Sequence, residues 1–113
     1  MHPIENKGKL TEEVRKRKIS YTIHFEEDIE QDRTNISSQL IETYLSNKLE
    51  DLIDFTHKPD EKDTPRYNLI FDKSGRYYLL VALSFVNAHI NLITSFLVKK
   101  ERGNPEELVE RWG

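Results

Sequence analysis

The chain has 113 residues, 36% of them hydrophobic and 33% charged, with no cysteine and a formal net charge of −3. That length suits one domain with a small core, and the missing cysteine excludes disulfides, thiolate metal sites and thiol nucleophiles. No apolar run is long enough to span a bilayer and the first residues lack a signal-peptide core, so no membrane partner and a cytoplasmic location are expected.

The charge is unevenly laid out. Residues 1–19 hold six Lys/Arg against three acids, residues 20–63 four against twelve, and residues 64–113 seven against five. Proteins that bind polyanions are usually basic overall. Any contact with RNA is therefore expected to be local, with the acidic middle turned away.

In chain order, residues 1–9 read as a loose arm. Thr11-Glu12-Glu13 reads as a helix start, with acids near the positive end of the dipole, and Arg15 to Lys18 as its basic end. Leu10 and Val14 make its thin apolar stripe. Residues 1–19 thus form an arm with a short helix, and 20–113 form the main domain. Tyr21, Ile23 and Phe25 alternate with polar residues, as in a strand. The acidic run 26–33 suits a surface helix. Ser37 or Ser38 can cap the next helix, whose apolar face is Leu40, Ile41, Tyr44 and Leu45. Residues 48–57 fit either a helix or a strand, and 58–65 are a loop.

From Tyr67 to Lys100 three apolar runs are separated by turn signals, the stronger being Asp72-Lys73-Ser74-Gly75. This predicts an antiparallel meander. Tyr77, Leu79, Val81, Leu83 and Phe85 share one face of its central strand, and Tyr78, Leu80, Ala82 and Ser84 the other. Both faces are largely apolar, so the strand is expected to be covered on both sides. In the last strand Ile90, Leu92, Thr94, Phe96 and Val98 are expected to oppose His89, Asn91, Ile93, Ser95 and Leu97. Residues 103–112 predict a short capped helix with Pro105 in its first turn and Trp112 as a packing anchor. The fold class is therefore α+β: N-terminal helices packed on a small twisted antiparallel sheet of three to four strands, with a short C-terminal helix.

The sequence has no glycine-rich phosphate loop and no Gly-x-Ser-x-Gly elbow. Metal ligation has little to recommend it: His24, Glu27 and Asp28 are at helical spacing, without a second cluster.

The order His24, an acidic helix, Arg33-Thr-Asn-Ile36-Ser37, then Ser74-Gly-Arg-Tyr77 and Ile93-Thr94-Ser95-Phe96, resembles a known pattern. It is similar to the RelE-like toxins of the barnase–EndoU–colicin–RelE superfamily, over roughly residues 18–100. The resemblance implies a metal-independent endoribonuclease without cofactor, in which a ribose 2′-hydroxyl attacks the adjacent phosphorus to leave a cyclic phosphate. It also implies RNA and a cognate antitoxin protein as partners. Carried over, His24 becomes the acid or base, Arg33 a phosphate ligand and Thr94 the hydroxyl that positions the substrate. Tyr67, Lys73, Arg76 and His89 become substrate-binding residues.

Each also has a plainer reading. His24 suits a helix start, and Arg33 can pair with Asp28, Glu30 or Asp32. Thr94 favours a strand in any case, and Tyr67 suits a core. Lys73 and Arg76 flank a turn where charge is common, and His89 sits beside a turn. Nine residues separate His24 from Arg33, which puts them on opposite faces of one unbroken helix. They meet only if that helix begins after His24 or ends before Arg33. The rival function is a non-catalytic protein-interaction module on the same scaffold, using its acidic residues 26–32 and 50–63.

Overall fold

The computed structural model describes residues 6–21, 38–58, 66–86 and 88–111. Its centre is β4 (Tyr77–Val86), whose two apolar faces let it be buried from above and below. Around it lie β3 (Arg66–Asp72) and β5 (His89–Lys99), then β2 (Leu52–Lys58) and β1 (Lys18–Tyr21) at the edges, in the order β1-β5-β4-β3-β2. The three helices are α1 (Lys7–Lys16), α2 (Ser38–Asn47) and α3 (Pro105–Arg111). The α+β architecture is thus as the sequence predicts, but the sheet is larger and mixed. Strands β2 to β5 are antiparallel, whereas β1 runs parallel to β5, with Lys18 opposite His89 and Tyr21 opposite Leu92.

The extra strand was hidden because Lys18-Ile-Ser-Tyr21 is short and follows a basic helical run. The helix also starts earlier than Thr11-Glu12-Glu13 suggests. Asn6 caps it, its side-chain oxygen accepting from the Lys9 N–H at 2.8 Å, and the Thr11 hydroxyl donates to the Gly8 carbonyl. Arg17 then ends α1 and Lys18 opens β1. Residues 48–57 resolve into a 3-10 turn, Leu49–Asp51, followed by β2. Of the expected strand at residues 21–25, Tyr21 is the last residue of β1, and the rest falls outside the described residues, as do the acidic helix at 26–33, the Ser37 cap and Trp112.

Helices α1 and α2 cover one face of the sheet. Leu10 and Val14, one turn apart on α1, and Ile41, Tyr44 and Leu45 on α2 are buried with Tyr67, Leu69, Phe71, Leu79, Val81 and Leu83. Each such side chain contributes roughly 1.5–3 kcal/mol when removed from water. Helix α3 covers part of the other face, where Leu108 and Val109 join Ile70, Leu80 and Val98. Asn104 caps it by accepting from the Glu107 N–H at 2.9 Å, and the Thr56 hydroxyl donates to the Val109 carbonyl, tying α3 to β2.

One irregularity decides which side chains share a face. In the β4–β5 ladder Leu83 lies opposite Leu92, but the next pair is Ala82 with Thr94. Ile93 is an extra residue, a β-bulge, and it reverses the alternation of everything after it. Leu92 therefore faces the α1/α2 core while Thr94, Phe96 and Val98 face the α3 side. This corrects the expectation that Ile90, Leu92, Thr94, Phe96 and Val98 form one row.

Candidate functional site

On the α3 side the pairing registers define rows that cross the sheet. One row is Thr56, Asn68, Ala82 and Thr94; its neighbour contains Arg66, Ser84 and Asn91. Helix α3 lies over β2 and β3. Where it ends, a hollow of about 190 Å³ opens against the sheet. Its floor is Leu80, Ala82 and Phe96. Arg66, Asn68 and Thr94 rise from the strands, and Arg111 reaches in from the last residue of α3. The small side chain of Ala82, between Asn68 and Thr94 in the row, leaves the space.

The Arg66 Nε–H donates to the Asn68 side-chain oxygen at 3.3 Å, which ties the guanidinium to a buried amide. Among the described residues, neither Arg66 nor Arg111 forms an ion pair with a carboxylate. Two guanidiniums, an amide and a hydroxyl above an aromatic floor can hold an anion joined to a planar ring. Guanidinium forks match phosphate oxygens, and rings stack on rings. The Arg17 hydrogen bond holds the Glu13 carboxyl below its ordinary range, and burial pushes the Tyr44 phenol up. Both belong to the helices of the opposite face.

The residues expected from sequence fare differently. His24 and Arg33 lie outside the described residues. Thr94 lines the hollow. The bulge at Ile93 also turns His89 and Asn91 to the same face as Thr94, because His89 pairs with Val86 and Asn91 with Ser84. His89 is exposed and stands four β4 positions from Thr94, about 13 Å along the strand. Tyr67, expected to bind substrate, is 2% exposed on the opposite face, against the rings of Phe55, His57 and Phe85. It has no free surface on which a base could stack. Lys73 and Arg76 sit at the β3–β4 turn, at the other end of β4 from His89 and roughly 30 Å away along the strand. The structure therefore gathers Thr94 with Arg66, Asn68, Phe96 and Arg111, and not with Tyr67, Lys73 or Arg76.

Sequence reasoning passed over Arg66, Asn68 and Arg111. A signal for the first two was present. Tyr67, Leu69 and Phe71 alternate as core, so Arg66 and Asn68 must share the other face. Nothing local marked Arg111.

Fold and hollow together define an α+β protein whose partly covered sheet presents a cationic recess. Comparison with family models, curated proteins and solved structures finds no match for the chain. Among the described residues no helix is long and apolar enough to cross a membrane.

Proposed function

We propose that this chain is a metal-independent endoribonuclease of the RelE-like kind, and that the Arg66–Thr94–Arg111 hollow receives the scissile phosphate. The observation that carries the reading is the meeting of Thr94 with two guanidiniums over Phe96. Phosphodiester cleavage needs charge stabilisation on the non-bridging oxygens, and preorganised cationic donors supply it. Arg66 and Arg111 bind those oxygens, the Thr94 hydroxyl donates to one of them, and a flanking base lies on Phe96.

The 2′-hydroxyl loses its proton to a general base as its oxygen attacks phosphorus. The bond from phosphorus to the 5′-oxygen breaks, and a general acid protonates that oxygen, leaving a cyclic phosphate. His24 takes the acid or base role and Arg33 adds a further phosphate contact, as the sequence resemblance implies. An imidazole titrates near pH ~6.5, which suits either task at neutrality. A toxin of this kind acts in the cytoplasm and is held by a cognate antitoxin protein.

The test is induced expression in a bacterial host. Growth arrest and RNA breakdown are expected from the native chain. In His24→Ala and Arg33→Ala proteins that still fold, cleavage should fall by about 10²-fold or more. Full activity in both would dismiss the assignment.

A second reading is favoured by one feature of the hollow. Its described lining residues are Arg, Asn, Thr and apolar side chains, with no imidazole or carboxylate among them. That suits binding without cleavage, a non-catalytic interaction module whose acidic residues 26–32 and 50–63 meet a basic partner. Strong expression tolerated by the host, with no RNA breakdown, is the outcome that selects it.

A further inference from the structure

We infer a second anion-binding surface at the opposite end of β4 from His89, built from Lys73, Arg76, Lys99, Lys100 and Arg102, which grips the backbone of single-stranded RNA away from the Thr94 hollow. The inference rests on the reading of the chain as an RNA-binding protein, and it extends the contact beyond the scissile phosphate.

The surface is formed where the β3–β4 turn meets the 3-10 turn Lys100–Arg102 that follows β5. The two turns are fastened together. The Lys100 N–H donates to the Arg76 carbonyl at 2.8 Å, and the Lys100 ammonium reaches Asp72 at 2.7 Å while lying 5.1 Å from the centre of the Tyr78 ring. The hairpin is closed in its own right, with the Lys73 and Ser74 N–H groups both donating to the Tyr77 carbonyl. Between the turns lies a hollow of about 340 Å³, with Arg76 and Lys99 on its walls.

Arg76 and Lys99 are exposed, and among the described residues neither forms an ion pair with a carboxylate. Asp72 is engaged by Lys100, and Glu101 also lines the hollow. On the hollow itself Arg76, Lys99 and Lys100 therefore stand beside Glu101, with Asp72 held by Lys100, in a chain whose net charge is −3. A local cationic patch on an overall acidic protein draws polyanions to that patch.

The chemistry favours an extended phosphodiester. Lys100 is six residues beyond Thr94, about 20 Å along β5. One mononucleotide cannot touch both places, but a strand several nucleotides long can. A membrane surface is a poorer match, because interfacial binding needs apolar side chains beside the cations. Among the described residues the one exposed large hydrophobic is Val86, at the other end of β4.

The test uses the full chain and a fluorescent 20-nucleotide single strand carrying 2′-O-methyl groups throughout, which cannot be cleaved. Binding is followed by anisotropy between 50 and 200 mM KCl, with folding of each variant checked by circular dichroism. In an Arg76→Gln/Lys99→Gln protein the slope of log K against log salt should shrink by about 1.4, at roughly 0.7 per lost contact. A slope equal to that of the native chain overturns the inference, even if Arg66→Gln/Arg111→Gln weakens binding and so upholds the Thr94 hollow. A reduced slope in a chain that cleaves no RNA upholds this surface while the ribonuclease reading fails. No binding of the strand by the native chain, or binding only to phosphatidylserine vesicles or to an acidic peptide, also overturns it.

Discussion

Glu13 and Arg17, one turn apart at the end of α1, form the best-placed ion pair on the helical face. The Arg17 guanidinium also lies 4.5 Å from the centre of the Phe85 ring, so the pair anchors α1 to β4. The hydrogen bond from Arg17, with help from the charges of Arg17, Lys16 and Lys9, holds the Glu13 carboxyl below its ordinary value of 4.5 against a smaller opposing effect of burial. A carboxyl depressed in the folded state adds stability above its unfolded value and loses it as pH falls through the folded one. A Glu13→Gln protein should therefore be less stable at pH 7, by up to about 1 kcal/mol for a pair this accessible. The gap to the native chain should narrow as pH falls below the ordinary carboxyl value, as read from urea midpoints. A gap that is constant with pH would mean that the Glu13 charge contributes nothing.

The residue scale also explains what sequence could and could not tell. Arg66 and Tyr67 are neighbours with opposite fates: Tyr67 is core and Arg66 lines the hollow. Strand alternation contains that information, but an aromatic residue among RNA-binding candidates draws attention away from the cation beside it.

At the scale of elements, the meander and the flanking helices were legible because their patterns are strong. Strand β4 alternates two apolar sets, α2 has a clean stripe, and Asn104 with Pro105 marks the start of α3. The bulge was not legible. Ile93 sits within Asn91-Leu-Ile-Thr94, and no glycine or proline announces the extra residue. Its consequence is large, since it brings His89, Asn91 and Thr94 to one face. Deleting Ile93 would leave Leu92 opposite Leu83 and Thr94 opposite Ala82 as consecutive pairs. Every apolar side chain would keep its face. The deletion should therefore fold, with a loss of about 1–3 kcal/mol from the altered strand twist. Loss of the cooperative urea transition would show that the bulge does more than insert one residue.

For the whole molecule, the separation of charge and the division of the sheet's two faces work together. Helices α1 and α2 seal one face with a continuous core. Helix α3 seals only part of the other, leaving near its end a recess lined by apolar side chains and by Arg66, Asn68, Thr94 and Arg111. Sequence could predict the sealed face from periodicity. It could not predict the recess, which depends on where Arg111 arrives after a chain reversal and on a register that one bulge resets. The parallel edge strand β1 escaped for a related reason: four residues do not reveal that their partner lies some seventy positions away.

The proposed function turns most directly on where RNA meets the sheet. A titration of the isotopically labelled chain with a short 2′-O-methyl oligonucleotide, followed by amide nuclear magnetic resonance, reads that position residue by residue. The predicted result is a set of saturating shifts at Arg66, Asn68, Ala82, Thr94, Phe96 and Arg111, with α1 and α2 unmoved. Shifts confined to α1 and α2, or none at millimolar oligonucleotide, would contradict it.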